Sequence, residues 1–272
     1  MEQSILSPAQ VVSAYAEAGG KKCRKSPLSI LLLAVLAGSM IAFAGAATSM
    51  ASHNAPDVGT AKLICSLLFP FGLGMVILMG AELFTGNCLI AISVLEKKAS
   101  VAGMLKNWVL VYLGNFVGAV LVAAACAYNG VFNASAGGFA LSTLKTAAAK
   151  CALSFSSALV LGIACNVLVC LGVLCSMTAK DTTGKILGAF LPVALFVLCG
   201  FEHSVANMYY IPAGLFAQSI PGYAALAAEA GLDLSALTWG NFLLGNLVPV
   251  TLGNIIGGAG VGILLWKSHK AA

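Results

Sequence analysis

Apolar residues run in long blocks at about 28–49, 62–95, 105–129, 152–178, 186–218 and 239–266, separated by short stretches that hold most of the charge. A hydrocarbon core of about 30 Å takes roughly 20 helical residues to cross, so every block predicts a membrane span. The blocks at 62–95 and 186–218 are too long for one straight helix and carry polar residues at their centres. Each of those two predicts a span that is broken midway. Ahead of the first block, residues 1–26 are polar, and Ser7-Pro8 is an N-cap followed by proline at the first helical position. That pair opens a short amphipathic helix carrying Val11, Val12 and Tyr15, expected to lie along the membrane surface. The chain thus divides into an N-terminal helical region at 1–26, a single transmembrane domain at 27–266 and a tail at 267–272.

Six crossings return the chain to the side from which it started. Lys21, Lys22, Arg24 and Lys25, then Lys97, Lys98 and Lys106, then Lys180 and Lys185, then Lys267 and Lys270 fall on that side. The other side keeps Lys62, Lys145 and Lys150 with Asp57, Glu229 and Asp233. The positive-inside rule makes the lysine-rich side cytoplasmic, with both termini on it, in the cytoplasmic membrane of a prokaryote. The basic cluster, the first apolar block and Ala44-Gly45-Ala46 also imitate a signal peptide with its cleavage site. The internal repeat needs that block as a span, and it is read as one.

The repeat is visible in two runs. Gly80-Ala81-Glu82-Leu83-Phe84-Thr85-Gly86-Asn87 and Gly200-Phe201-Glu202-His203-Ser204-Val205-Ala206-Asn207 share Gly, Glu and Asn at the same offsets, 120 residues apart (Gly80 to Gly200). Farther on, Gly114-Asn115-Phe116-Val117-Gly118 matches Gly253-Asn254-Ile255-Ile256-Gly257, and Lys150 before the fourth span echoes Lys25 before the first. An odd number of spans per half inverts the second half, giving repeats at about 27–130 and 150–266. Inverted repeats place a substrate site where broken helices from the two halves meet.

Composition then removes alternatives. Of 272 residues 60% are hydrophobic and only 8% charged, with a mean hydropathy of +0.98. Soluble domains carry about 25% charged residues, so this is a polytopic membrane protein. A single arginine, Arg24, argues against a nucleic-acid partner. The nine cysteines fall largely in apolar runs without metal-ligand spacing, so no metal and no cofactor is expected. No nucleophile and base pair accompanies the lone intramembrane histidine, which argues against an enzyme.

Inside the spans the acids are Glu82 and Glu202, and the histidine is His203. Ionisable groups in a bilayer cost about 2.5–3.5 kcal/mol even on permissive scales. The repeat-related Glu82 and Glu202, with Asn87 and Asn207, read as structural groups, the carboxylates accepting hydrogen bonds from amides freed at the helix breaks. His203 corresponds to Leu83 in the first repeat, so symmetry does not require it; an imidazole can exchange protons near neutrality. Thr85 offers a hydroxyl from the facing break. Lys150 either raises the local anion concentration or snorkels to the headgroups. Asn166, Asn207 and Asn254 read as packing hydrogen bonds. Dense glycine and alanine in the third and sixth spans support close helix packing and an oligomer.

These motifs resemble the formate/nitrite transporter family. Ile77-Leu78-Met79-Gly80-Ala81-Glu82-Leu83-Phe84-Thr85-Gly86 is similar to that family's first signature, and Gly162–Leu171 to its second, departing at Gly172 where alanine is usual. Phe201-Glu202-His203-Ser204-Val205-Ala206-Asn207-Met208 and Asn246–Asn254 are also family-like, and the resemblance covers roughly residues 5–268. It implies an all-α, aquaporin-like bundle of six transmembrane helices with an inverted 3+3 repeat, assembled as a homopentamer with one pore per protomer. It also implies passage of small monovalent weak-acid anions across the bilayer, formate first, then hydrosulfide or nitrite, with lactate in the same class. By resemblance, His203 and Thr85 form a central pair that aids protonation, and Lys150 and Asn166 draw in the anion. Leu73, Phe84 and Val169 form a cytoplasmic constriction; Phe69, Leu83 and Phe196 form an outer one. A proton-coupled transporter of the same anions is the alternative, and a neutral-solute aquaporin-type pore is a third reading, disfavoured by His203 and by missing Asn-Pro-Ala boxes.

Overall fold

The computed structural model describes residues 5–270. The first four residues of the N-terminal region and the last two of the expected 267–272 tail lie outside the described residues. The chain forms α1 (Pro8–Arg24), α2 (Pro27–Ser52), α3 (Val58–Leu68), α4 (Pro70–Leu78), α5 (Phe84–Asn87), α6 (Ile90–Leu95), α7 (Val101–Tyr128), α8 (Gly138–Cys151), α9 (Phe155–Thr178), α10 (Thr182–Cys199), α11 (Ser204–Gln218), α12 (Pro221–Glu229) and α13 (Val248–Lys270). A π-helical stretch at Asn241–Leu247 leads into α13; the wide turn precedes Pro249, which has no N–H to offer the carbonyl one turn back. Of the expected tail, residues 267–270 remain part of α13.

Six helical segments of the described residues are long and apolar enough to cross a membrane, and the chain is a multi-pass membrane protein. The second and fifth spans are the broken ones. Each has a longer first limb, Val58–Leu78 or Thr182–Cys199, and a shorter second, Phe84–Leu95 or Ser204–Gln218. Span starts are set by short polar caps that satisfy the first free amides: Ser26, Asp57, Ser100, Ser154 and Asp181 each accept a bond from the amide three residues on. At Asp57, the Thr60 amide and hydroxyl hold the carboxyl below its usual range.

Close packing carries the bundle. Helix α2 lies along α7, and α9 lies along α13, as the matched Gly-Asn-x-x-Gly runs require. A Cβ on Gly118 would stand 2.1 Å from the carbonyl oxygen of Val35, and one on Gly257 would stand 2.2 Å from that of Ile163. Only glycine allows backbones this near.

Two features go beyond the sequence expectation. Helix α1 begins with a capping box, the Ser7 amide donating to Gln10 Oε1 at 2.8 Å and the Gln10 amide to Ser7 Oγ at 3.3 Å. Its apolar face, however, packs on protein: Val11, Val12, Tyr15 and Ala16 pack with Leu89, Ile92, Cys170 and Leu174. The surface-lying reading placed that face toward lipid. Helix α8, in the stretch between the third and fourth apolar blocks, packs on α11 as α1 packs on α6. The pseudo-symmetry therefore includes a short helix laid against each second limb.

Candidate functional site: two helix breaks face each other

Each break is built from the same parts. After α4, Gly80 takes the left-handed conformation (φ 62°); after α10, Gly200 does so (φ 73°). A side chain is strained at such an angle, which explains glycine at both positions. The amides of Ala81 and Phe201 return to the carbonyls of Val76 and Phe196, both at 3.0 Å, and those of Glu82 and Glu202 reach Leu33 and Leu161 across the bundle, at 3.2 and 3.3 Å.

Two asparagines close the remaining gaps. Asn115 accepts from the Phe84 amide at 2.9 Å and donates to the carbonyls of Ala34 and Glu82, at 2.8 and 2.9 Å. Asn254 accepts from the Ser204 amide at 2.9 Å and donates to the carbonyls of Gly162 and Glu202, at 2.8 and 3.0 Å. The sequence reading assigned the freed amides to the two carboxylates. The asparagines take that part, because an amide side chain can accept and donate at once, as a break with both orphan types needs. Asn115 was missed as a site residue; the signal was its match to Asn254 in the repeat.

The carboxylates have other partners. Glu82, with no solvent exposure, holds Lys25 at 2.7 Å, Lys22 at 3.0 Å and the Asn87 amide at 2.7 Å. Glu202 holds Lys150 at 2.7 Å and the Asn207 amide at 2.6 Å. Asn87 and Asn207 in turn donate to Asn107 and Asn246, each at 2.8 Å. Buried charges persist when paired and hydrogen-bonded, and here each acid has a lysine from a short flanking element. Lys150 was expected either to gather anions or to reach the headgroups; it is ion-paired, with its ammonium 5.5 Å from the Tyr210 ring centroid. Lys22 reads in the sequence as a topology signal, and Lys25 as that and as the repeat counterpart of Lys150; both pair with Glu82.

The breaks meet at Thr85 and His203, both buried. Thr85 Oγ1 is 2.9 Å from His203 Nε2, and the Ala206 amide donates to His203 Nδ1 at 3.0 Å. An amide can only donate, so Nδ1 is the acceptor and the ring hydrogen sits on Nε2, pointing at Thr85. With its oxygen accepting, the Thr85 hydroxyl keeps its own hydrogen for a further acceptor. Ser204 Oγ, the next side chain along, is buried and makes no hydrogen bond among the described residues. Asn166 donates to the carbonyls of Thr85 (3.1 Å) and Asn254 (2.6 Å), so both of its amide hydrogens tie the first break to α13.

Apolar groups flank the pair. Phe69 and Phe196 meet edge to face at 5.8 Å, and Phe196 stacks over the His203 ring at 5.8 Å. Phe84 is held edge-on by Tyr112 at 4.9 Å and by Trp108 at 6.3 Å. Leu73, Leu83 and Val169 are buried beside them. On the face away from the termini, a cavity of about 610 Å³ runs down to Phe69, Phe196 and His203, with Lys150 and Glu202 in its wall.

Residues 9–267 match the family model described as formate/nitrite transporter. The chain is 38% identical to a probable formate transporter of Methanothermobacter thermautotrophicus, covering 99% of each chain. It is likewise 38% identical to the formate channel FocA of Escherichia coli (strain K12), over 96% of this chain and 94% of that one. A solved pentameric formate channel with formate bound superposes with a TM-score of 0.80 at 32% identity, covering 90% of this chain and 97% of that chain. A solved ion channel of the same family gives a TM-score of 0.81 at 26% identity, over 95% and 98%. With matched breaks, paired acids and a likeness that spans nearly the whole chain, this protein belongs to the formate/nitrite transporter family.

Proposed function

We propose that the protein is a homopentameric channel that passes small monovalent weak-acid anions, formate first, with one pathway through each protomer. The observation that carries this reading is the Thr85–His203 contact, a polar pair closed between apolar groups. It is supported by relatives described as formate channels or transporters and by the likeness to a pentameric channel with formate bound. Membership in a family of channels and transporters makes an enzymatic role the wrong class.

The mechanism follows from charge and solvent. An anion crosses an apolar ring at high cost, and its neutral acid crosses cheaply. The anion collects in the vestibule of about 610 Å³, which Lys62 and Lys145 line beside the paired Lys150, takes up a proton there and passes the outer ring of Phe69, Leu83 and Phe196 as the neutral acid. Between the rings it meets the free hydrogen of Thr85, whose oxygen is held by His203 Nε2–H. Placing an imidazolium here would break the bond from the Ala206 amide to Nδ1. His203 therefore works as a fixed hydrogen-bond donor that polarises Thr85, and the proton that neutralises the solute arrives with it along the pathway. Leu73, Phe84 and Val169 form the second ring. The lysine-rich face with both termini is cytoplasmic, and the membrane is the cytoplasmic one.

Flux of formate, nitrite and hydrosulfide into vesicles containing the purified protein tests the reading. Formate flux above empty vesicles is the expected result, with nitrite and hydrosulfide slower. Flux that vanishes without a pH gradient at fixed anion concentration would move the protein to the proton-coupled class. Water permeability without anion flux would overturn the proposal.

A further inference from the structure

The vestibule on the face away from the termini holds more positive charge than one monoanion needs. Lys62, Lys145 and Lys150 line it, and the one carboxylate in its wall is Glu202. Glu202 is bonded to Lys150 at 2.7 Å, so that pair is locally neutral. Lys62 and Lys145 have no carboxylate partner among the described residues. Asp233 borders a smaller cavity that Lys145 also lines, outside the vestibule wall; the Ser235 amide holds its carboxylate at 2.9 Å, and it makes no ion pair with Lys145. Lys62 leans over the end of α10, its ammonium 3.1 Å from where a Cβ on Gly200 would stand. The carbonyls at a helix end supply only about half a negative charge, so the vestibule keeps an excess of positive charge.

Its size and its floor say what can use that charge. At about 610 Å³ the space is within the range of small-molecule sites, roughly 300–1,000 Å³. It is far larger than a one-carbon anion requires. The floor is the Phe69–Phe196 edge-to-face pair. A monoanion leaves this floor by taking up a single proton. A dianion remains charged after one proton and stays above the ring, facing two lysines that lack carboxylate partners.

We infer that this vestibule is a binding site for short-chain dicarboxylates, held by Lys62 and Lys145 above the Phe69–Phe196 ring. A bound dicarboxylate blocks the pathway from this face. The blocking effect rests on the channel reading above; the binding does not.

Calorimetric titration of malonate and succinate into the detergent-purified protein tests binding directly, with butyrate as the monoanionic control. Saturable binding of the dicarboxylates with weak or no binding of butyrate is expected. The K62Q/K145Q double variant should weaken it at least tenfold while eluting at the same size as the native protein. In vesicles, malonate on the vestibule side should slow formate flux, more than sodium chloride of equal ionic strength does, and malonate on the other side should not. Absence of saturable binding, equal binding of butyrate, or equal binding by the double variant would overturn the inference. Binding without any anion flux would sink the channel reading and leave this one standing.

Discussion

Thr85 Oγ1 and His203 Nε2 lie 2.9 Å apart although the two residues are 118 positions apart in the chain. Their contact joins the two inverted halves at one point. The Ala206 amide fixes the ring hydrogen on Nε2, so Thr85 is the group that presents a hydrogen to the passing solute. Thr85→Val keeps the shape and removes that donor. A hydrogen bond between neutral groups contributes about 0.5–1.5 kcal/mol, so formate flux should fall roughly 2- to 10-fold. Thr85→Ser should retain most of it. His203→Phe should abolish flux through the acid form with the oligomer intact. Native flux in vesicles carrying Thr85→Val or His203→Phe would show that the pair only closes the break.

Lys150 and Glu202 make a pair whose members are unequally buried, with side-chain exposures of 18% and 7%. Removing one partner of a buried pair typically costs about 3–5 kcal/mol. Lys150→Met leaves the carboxylate with no cation, largely buried and held by the Asn207 amide. Glu202→Gln leaves an ammonium that can extend into the vestibule. The lysine variant should therefore lose more thermal stability, and adding Glu202→Gln to it should restore part of the loss. In the first half Glu82 has two lysines, so Lys25→Met should cost less than Lys150→Met. Melting temperatures of the purified variants check the order; equal losses at 25 and 150 would contradict it.

The spans, both breaks and the repeat are legible in the sequence because lipid demands long apolar blocks and because inversion leaves matching runs. Gly80 and Gly200 stand out for the same reason. Harder to read were groups whose meaning depends on a distant partner. Lys22 and Lys25 look like an ordinary topology signal until α1 folds back on Glu82. The short helix ending near Lys150 is too polar to register as a span, although its position against α11 brings that lysine to Glu202. Asn115 is one polar residue in an apolar helix, and only the geometry reveals that it bonds three backbone groups of the first break and its neighbour α2.

Asn115 and Asn254 each satisfy one amide and one carbonyl of a break that no helix can reach, and each adds a bond to a helical carbonyl, of Ala34 or Gly162. A buried polar group left unpaired costs about 1–3 kcal/mol. Asn115→Leu or Asn254→Leu strands two such groups and breaks a third bond to a neighbouring helix, and should prevent stable assembly. Asn254→Asp keeps the acceptor for the Ser204 amide and loses both donated bonds; it should yield folded protein of lower melting temperature. Size-exclusion chromatography of the solubilised variants checks this. A leucine variant eluting and melting like the native protein would remove the asparagines from the account of the breaks.

Gly172 sets the room available to Leu73. A Cβ at this position would meet the carbonyl oxygen of Ala189 at 3.2 Å and Leu73 Cδ2 at 3.4 Å. The backbone oxygen gives little, whereas the leucine can turn away from it. Alanine gains about 0.5–1 kcal/mol over glycine within a helix, which offsets this mild crowding, so Gly172→Ala should leave stability nearly unchanged. Its effect falls on the ring proposed for Leu73, Phe84 and Val169, where the displaced leucine narrows the passage. One methylene in an apolar pocket discriminates by about 1–3 kcal/mol. The formate-to-lactate flux ratio should therefore rise on the order of 10-fold, with lactate losing most. The measurement is paired flux of the two anions in vesicles of native and Gly172→Ala protein. An unchanged ratio would place Leu73 away from the narrowest point of the pathway.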